Sequence, residues 1–321
     1  MTQHSEPSPR YTRRKLLTTA GATAVVSSAG CAGPLMETRS RDRPDDDDFV
    51  IVARDFTEHQ LLSHMTAVVL NETGTKDARV VDRAWQSFKP YAYLPYEPLD
   101  LHWEYMGTAN ESIFLDINLF EDGIEAGIDR MRAEALPDGI QILDPTGFTS
   151  AWELVASVEW VEETGIATYS ALTRRYNESR DVTVALKRPF AFRGNAWPSL
   201  LQHYVDRVRV NPFENVILVG PLETYEAALD GRAAVGEGAT SEPQITDEFV
   251  VLEDDRNFYI SSPVLPFVDA NELTPQLESR LSALATALDT AETMRQLNAR
   301  VDFDGEDLEA VAREFVMDEV L

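Results

Sequence analysis

The sequence predicts an α/β protein of two lobes, carried behind an export segment. Three observations predict it. From residue 49 onward, short apolar runs rich in β-branched residues alternate with stretches of helical periodicity, the pattern of strands covered by helices. The 321 residues, 44% of them hydrophobic, exceed what one average domain needs and divide naturally into lobes of about 100–150 residues. The first fifty residues differ in composition from the rest and read as an address followed by a leash.

The address comes first. Arg13, Arg14 and Lys15 precede Leu16, Leu17 and a weakly apolar run of Ala, Thr, Val and Ser through Ala29. A charged start, a short apolar stretch and small residues before a cut site describe an export signal. Its apolar run of about fourteen residues is shorter than the ~20 that cross a bilayer. The paired arginines resemble a twin-arginine (Tat) signal. Ser28-Ala29-Gly30-Cys31 resembles a lipobox, so residues 1–31 are expected to be a signal and Cys31 a lipidated N-terminus. Residues 32–48 hold almost nothing apolar toward their end, with Arg39, Arg41, Arg43 and then Asp45 to Asp48, and read as a flexible acidic tether. Cys31 is the one cysteine, which excludes an intrachain disulfide.

Phe49 to Ala53 opens the globular part as a buried strand. Leu61, Leu62, Met65, Val68 and Val69 recur at helical spacing, and that helix stops near Gly74. Strands are predicted at 78–81, 99–102, 140–143, 152–158, 182–185, 216–219, 233–235 and 248–252. Helices are predicted at 121–134, 168–177, 196–206 and 221–230, and the alternation implies parallel sheets. After Pro263-Val264-Leu265 three helices follow, near 274–286, 290–298 and 306–317. Thr274-Pro275 is a start signal with Pro at the first helical position. Asp289 to Glu292 fits a capping box with Asp in the Ser/Thr role.

Charge narrows the partners. The chain carries 55 acidic side chains against 28 basic ones, a net of -27, so a polyanion would be repelled and nucleic acid is not an expected partner. Only Lys15, Lys76, Lys89 and Lys187 are lysines; the other cations are arginines. Dense surface carboxylate with little Lys resembles proteins of salt-loving archaea, where a Debye length of about 3 Å at 1 M salt screens self-repulsion. An acidic protein of an ordinary habitat has the same composition. No GxGxxG or GxxxxGK[ST] loop is present, and no GxSxG elbow. His4, His59, His64, His102 and His203 are scattered without metal-ligand spacing. Neither a catalytic group, a cofactor nor a metal is expected.

Four segments, in order, resemble the substrate-binding proteins of glycine betaine/choline/carnitine ABC importers. They are Ala53-Arg54-Asp55-Phe56-Thr57-Glu58, the run Leu99 to Ala109 (LDLHWEYMGTA), Phe249 to Phe258 (FVVLEDDRNF), and Leu297-Asn298 with Val301-Asp302 and Val311-Ala312. The resemblance spans roughly residues 49–321. It implies a periplasmic-binding-protein-like fold of type II, two α/β lobes joined by two crossing segments that close over ligand. Lobe one would comprise 49–145 plus 252–321, and lobe two 146–251. The implied partners are a small quaternary amine, an ABC permease subunit and the lipid anchor.

A trimethylammonium group has no N–H, so it is held by the negative faces of aromatic rings, at ~0.5–2 kcal/mol per contact. A betaine carboxylate wants Arg forks or backbone N–H groups. By the resemblance, Tyr105 supplies a ring and Thr108 the adjacent polar group, Trp152 a wall and Tyr259 a third ring; Arg193 and Arg54 meet the anionic end. Tyr105 and Trp152 also suit ordinary core positions, and either Arg suits a surface. Three departures bear on the cargo. Pro189 replaces an acidic residue, Ala239 replaces a Tyr, and a ring-rich loop, Trp85 to Tyr93, replaces a Gly-rich one. Either that loop rebuilds the cage or the ligand has changed. A receptor that presents the same ligand to a membrane sensor or transducer is the alternative to import.

Overall fold

The computed structural model describes residues 48–321 except 84–87, 95–97, 180, 193–195, 221–222 and 260. The expected signal, Cys31, nearly all of the tether, and Arg193 lie outside the described residues.

Two five-stranded sheets form the frame. The first orders β1 (Phe49–Ala53), β2 (Ala78–Asp82), β3 (Leu101–Tyr105), β4 (Ile140–Ile142) and β10 (Val264–Asp269) as β2-β1-β3-β10-β4. The second orders β5 (Trp152–Ser157), β6 (Val184–Lys187), β7 (Val216–Val219), β8 (Val235–Ala239) and β9 (Phe249–Val251) as β7-β6-β8-β5-β9. Both sheets are mixed, which corrects the expectation of parallel ones. β1 runs parallel to β2 and β3, and β6 to β7 and β8, but β10 and β5 run antiparallel to their neighbours. The reason is topological. β5 and β10 are the strands that arrive from the other lobe, so each enters its sheet at the C-terminal ends of the parallel strands and must run back along them.

Burial follows the period of two. In β1, Phe49 and Ile51 pack under helices Thr57–Glu72, Pro275–Ala287 and Leu308–Glu319, while Val50 and Val52 face the layer holding Met131, Phe114 and Phe267. β3 sends Leu101, Trp103 and Tyr105 to the first of these layers, and β10 sends Val264 and Val268 there. A strand buried on both faces reads as an unbroken apolar run, which is why β1 was visible in sequence. β10 was not predicted as a strand, because Pro266 interrupts it. The second lobe has its own core around Tyr169, Tyr176, Trp197, Leu200 and Val184.

The C-terminal helices begin where expected. Thr274 accepts a hydrogen bond from Leu277 N with Pro275 in the first turn. The next cap is Thr290, not Asp289: Thr290 Oγ1 accepts from Thr293 N at 3.1 Å, and Asp289 takes the Thr293 hydroxyl at 2.8 Å. Among the described residues no helix is long and apolar enough to cross a membrane.

The two crossing segments are bonded to each other. Ser150 N donates to Ser262 O at 2.9 Å and Thr146 N to Val264 O at 2.9 Å, with Thr149 bridged to Pro263. Thr146 Oγ1 ties the junction further, accepting from Val264 N at 3.2 Å and donating to Phe148 O at 2.9 Å. The result is two α/β lobes on a two-stranded hinge.

Candidate functional site

The C-terminal ends of β1, β3 and β8 meet the first residues of β5 and the approach to β10 around one cavity of about 610 Å³. In open α/β sheets this edge is where loops leave the strands and where ligands bind.

Arg54 follows β1 directly. Its Nη2 lies 3.3 Å from Glu104 Oε1, and its guanidinium sits 5.3 Å from the Phe56 ring centre and 5.5 Å from that of Tyr105. The backbone there is fixed by His59, whose Nδ1 accepts from Arg54 N at 3.1 Å while Nε2–H donates to Trp103 O at 2.8 Å. That pattern needs the neutral ring, and burial together with the Arg54 charge keeps the His59 pKa well below its usual value. Tyr105 closes β3, 8% exposed, with its ring 6.2 Å from Phe56 and its hydroxyl donating to Glu58 Oε1 at 2.5 Å. Burial and the Glu58 charge push the Tyr105 hydroxyl well up, so it stays a donor. Thr108 lines the cavity from helix Met106–Ser112, whose Gly107 N donates to Ser262 Oγ at 2.8 Å.

The second lobe supplies the other wall. Trp152 starts β5 opposite Ala239 and packs against Phe190 at 5.4 Å. Lys187 Nζ stands 5.8 Å from the Trp152 ring and is paired with Glu242 at 2.6 Å and Glu237 at 3.7 Å. Tyr259 packs edge-on against Phe258 and Tyr169 at 4.9 and 6.2 Å and at a tilt against Phe190 at 6.0 Å. Asp254 accepts hydrogen bonds from Phe258 N and Tyr259 N and so holds that turn, which follows Asn257 in the left-handed region at φ 54°.

Arg54, Tyr105, Thr108, Trp152 and Tyr259 thus share one cavity, although they are dispersed over two hundred residues of chain. Phe56, Glu58, Phe258, Glu242 and Asn298 stand there too and were not singled out from sequence. Phe56 and Glu58 lie inside the quoted Ala53 to Glu58 segment, and Asn298 inside the C-terminal one, so adjacency in those segments was the usable signal. Ala239 reaches the cavity with a methyl where a ring was expected. The ring-rich loop does not rebuild the cage with its described residues. Tyr91, in helix Phe88–Tyr93, is buried instead against Phe114 and Phe267 at 5.6 and 6.2 Å, its hydroxyl on Asp138 Oδ2 at 2.7 Å.

Chemically the cavity pairs aromatic faces from both lobes with carboxylates at Glu58, Glu111, Glu242 and Asp302. Such a lining suits a cation that is poorly hydrated and cannot hydrogen-bond.

Comparison with known proteins agrees with this frame. The family model for the substrate binding domain of ABC-type glycine betaine transport systems matches residues 47–318. The chemotactic signal transduction system substrate-binding protein CosB of Halobacterium salinarum is 26% identical over 260 residues, covering 78% of this chain and 75% of its own. A glycine-betaine-binding protein of Pseudomonas aeruginosa is 25% identical over 278 residues, covering 83% of this chain and 86% of its own. A solved glycine betaine/carnitine/choline ABC transporter structure superposes with a TM-score of 0.70 at 19% identity, covering 84% of this chain and 98% of that one.

Proposed function

Because the chain belongs to the family of substrate-binding domains of ABC-type glycine betaine transport systems, we propose that it captures a small quaternary amine of the betaine, choline or carnitine class between its lobes. The observation that carries this reading is the arrival of Phe56 and Tyr105 from one lobe and Trp152, Phe258 and Tyr259 from the other at one cavity. Rings on both sides let hinge closure surround the ammonium and expel water, which strengthens each cation–π contact. Thr108 offers a polar contact beside Tyr105. Arg54, and Arg193 beyond the described residues, are the partners expected for a ligand carboxylate.

In this reading residues 49–145 with 252–321 act as one lobe and 146–251 as the other, except that Leu252, Phe258 and Tyr259 pack on the core of the second. Residues 1–31 export the chain, Cys31 carries lipid at the outer face of the cell membrane, and residues 32–48 tether the globule. The liganded form docks on an ABC permease subunit, and the carboxylate-rich surface suits molar salt. Titration with betaine, choline and carnitine in molar KCl, followed by tryptophan fluorescence, tests capture. Silence with all three rejects it.

A second reading is favoured by one finding, the chemotactic assignment carried by the relative from Halobacterium salinarum. The liganded trap would then be presented to a membrane transducer. Deleting the protein separates the two. Loss of labelled ligand uptake supports import, whereas loss of ligand-directed swimming with uptake intact supports sensing.

A further inference from the structure

The charged groups at the cavity are not equivalent. Arg54 is engaged by Glu104, a carboxylate with no exposed side chain, and Lys187 by Glu242 and Glu237. Glu58 differs from both. It is 6% exposed, lines the cavity, and is hydrogen-bonded by neutral groups, the Tyr105 hydroxyl at 2.5 Å and the Asn298 amide at 3.5 Å. Burial pushes its pKa up, and the nearby Glu242 charge opposes its ionisation further. Among the described residues no ion pair reaches Glu58, and a buried carboxylate without a counter-ion is costly, so a cation entering beside it lowers the free energy and an anion raises it.

Asn298 adds a second constraint. Its Nδ2 is committed to two acceptors, Ser241 O at 3.0 Å and Glu58 Oε2 at 3.5 Å, which fixes the amide orientation. Oδ1 is then a buried acceptor without a partner, in a residue that is 4% exposed at the cavity wall. A hydroxyl can satisfy such an acceptor, whereas a carboxylate, which only accepts, cannot.

We propose that Glu58 is the counter-charge for the ligand's ammonium, and that the ligand is a net cation bearing a hydroxyl, a quaternary amino alcohol, in preference to a zwitterion carrying a carboxylate. The proposal rests on capture of a quaternary amine at this cavity, and narrows it. Tyr105 then has two tasks: its ring faces the methyl groups and its hydroxyl orients Glu58. Arg54 takes a different place from the one the sequence suggested. Held by Glu104 over the Phe56 and Tyr105 rings, it sets their position and does not receive a ligand carboxylate.

Calorimetric titration of the full chain at pH 8 in molar KCl tests this with choline, glycine betaine and 3,3-dimethylbutan-1-ol, the uncharged carbon analogue of choline. Wild type should bind choline at least about tenfold more tightly than betaine, and the uncharged analogue more weakly than either. Glu58→Gln, which preserves size and an acceptor for the Tyr105 hydroxyl, should lose about tenfold on choline and leave betaine unchanged or improved. Betaine binding as tightly as choline to wild type overturns the inference and leaves quaternary-amine capture standing. So does undiminished choline affinity in a Glu58→Gln protein whose thermal midpoint shows it folded. Should that variant fail to fold, the wild-type ranking decides. Failure of all quaternary ligands to bind overturns both the inference and the function beneath it.

Discussion

At the scale of single residues, the site and the core are built from the same side chains. Tyr105 sits in the apolar layer with Trp103 and Leu101, satisfies its hydroxyl on Glu58, and still lines the cavity. The two readings open to it in sequence are therefore compatible. Tyr105→Ala and Trp152→Ala should each weaken quaternary-amine binding by about 1–2 kcal/mol, read by titration, and wild-type affinity in both would remove these rings from the site. Two carboxylates near the second wall make stability depend on pH. Burial raises Glu153 to about 7, against the Arg295 charge, and Glu237 to about 7, against Lys187. Each would ionise near 4.5 in the unfolded chain, so the folded state keeps protons that the unfolded state releases. Their stabilising contribution is complete below about 4.5 and is lost as pH rises through 7. Buried His59 and His102, lowered from 6.5, add a slope of opposite sign to any form of the chain, so the test is a difference: in molar KCl the thermal midpoint of the Glu153→Gln, Glu237→Gln double variant should gain on wild type between pH 5 and pH 8. An equal slope in the variant would assign the pH dependence elsewhere.

At the scale of elements, the two crossings do more than connect. Each delivers the antiparallel fourth strand of a sheet, so hinge and sheets share one hydrogen-bond network through Thr146, Ser150 and Ser262. The crossing is also seated on the C-terminal helices, where Gly147 N donates to Ala285 O at 3.2 Å and Phe148 N to Leu288 O at 3.0 Å. A Cβ on Gly147 would stand 2.8 Å from the Asp289 backbone, closer than such atoms approach. Gly147→Ala should therefore cost about 1–3 kcal/mol by overpacking, measured by urea denaturation, because backbone cannot yield as a side-chain tip does. A change below 0.5 kcal/mol would mean the junction is looser than its contacts imply. The helix Ala291–Asp302 then links this junction to the cavity: Arg295 donates to Thr240 O at 2.6 Å and Asn298 to Ser241 O, gripping the loop that follows β8.

At the scale of the whole molecule, net charge sets the conditions for stability. A net of -27 repels itself, and raising salt from 0.1 to 1 M shortens the Debye length from about 10 to about 3 Å. The melting temperature should rise steadily over that range in KCl, and a flat response would show that the carboxylates are balanced locally. Much of this protein was legible in the sequence, for a physical reason. Strands buried on both faces, helices with capped starts and an excess of acid are local or compositional properties, so β1, helix Pro275–Ala287 and the surface charge could be read in place. Short motifs likewise pointed to Arg54, Tyr105, Thr108, Trp152 and Tyr259. What the sequence could not supply is adjacency across lobes. The direction of β10, hidden by Pro266, and the cap at Thr290 depend on which segments the folded chain brings together. The same holds for the pairing of Arg54 with Glu104 and the burial of Glu58 among neutral hydrogen-bond partners, since Coulomb energy and desolvation depend on distance through space and not on separation along the chain.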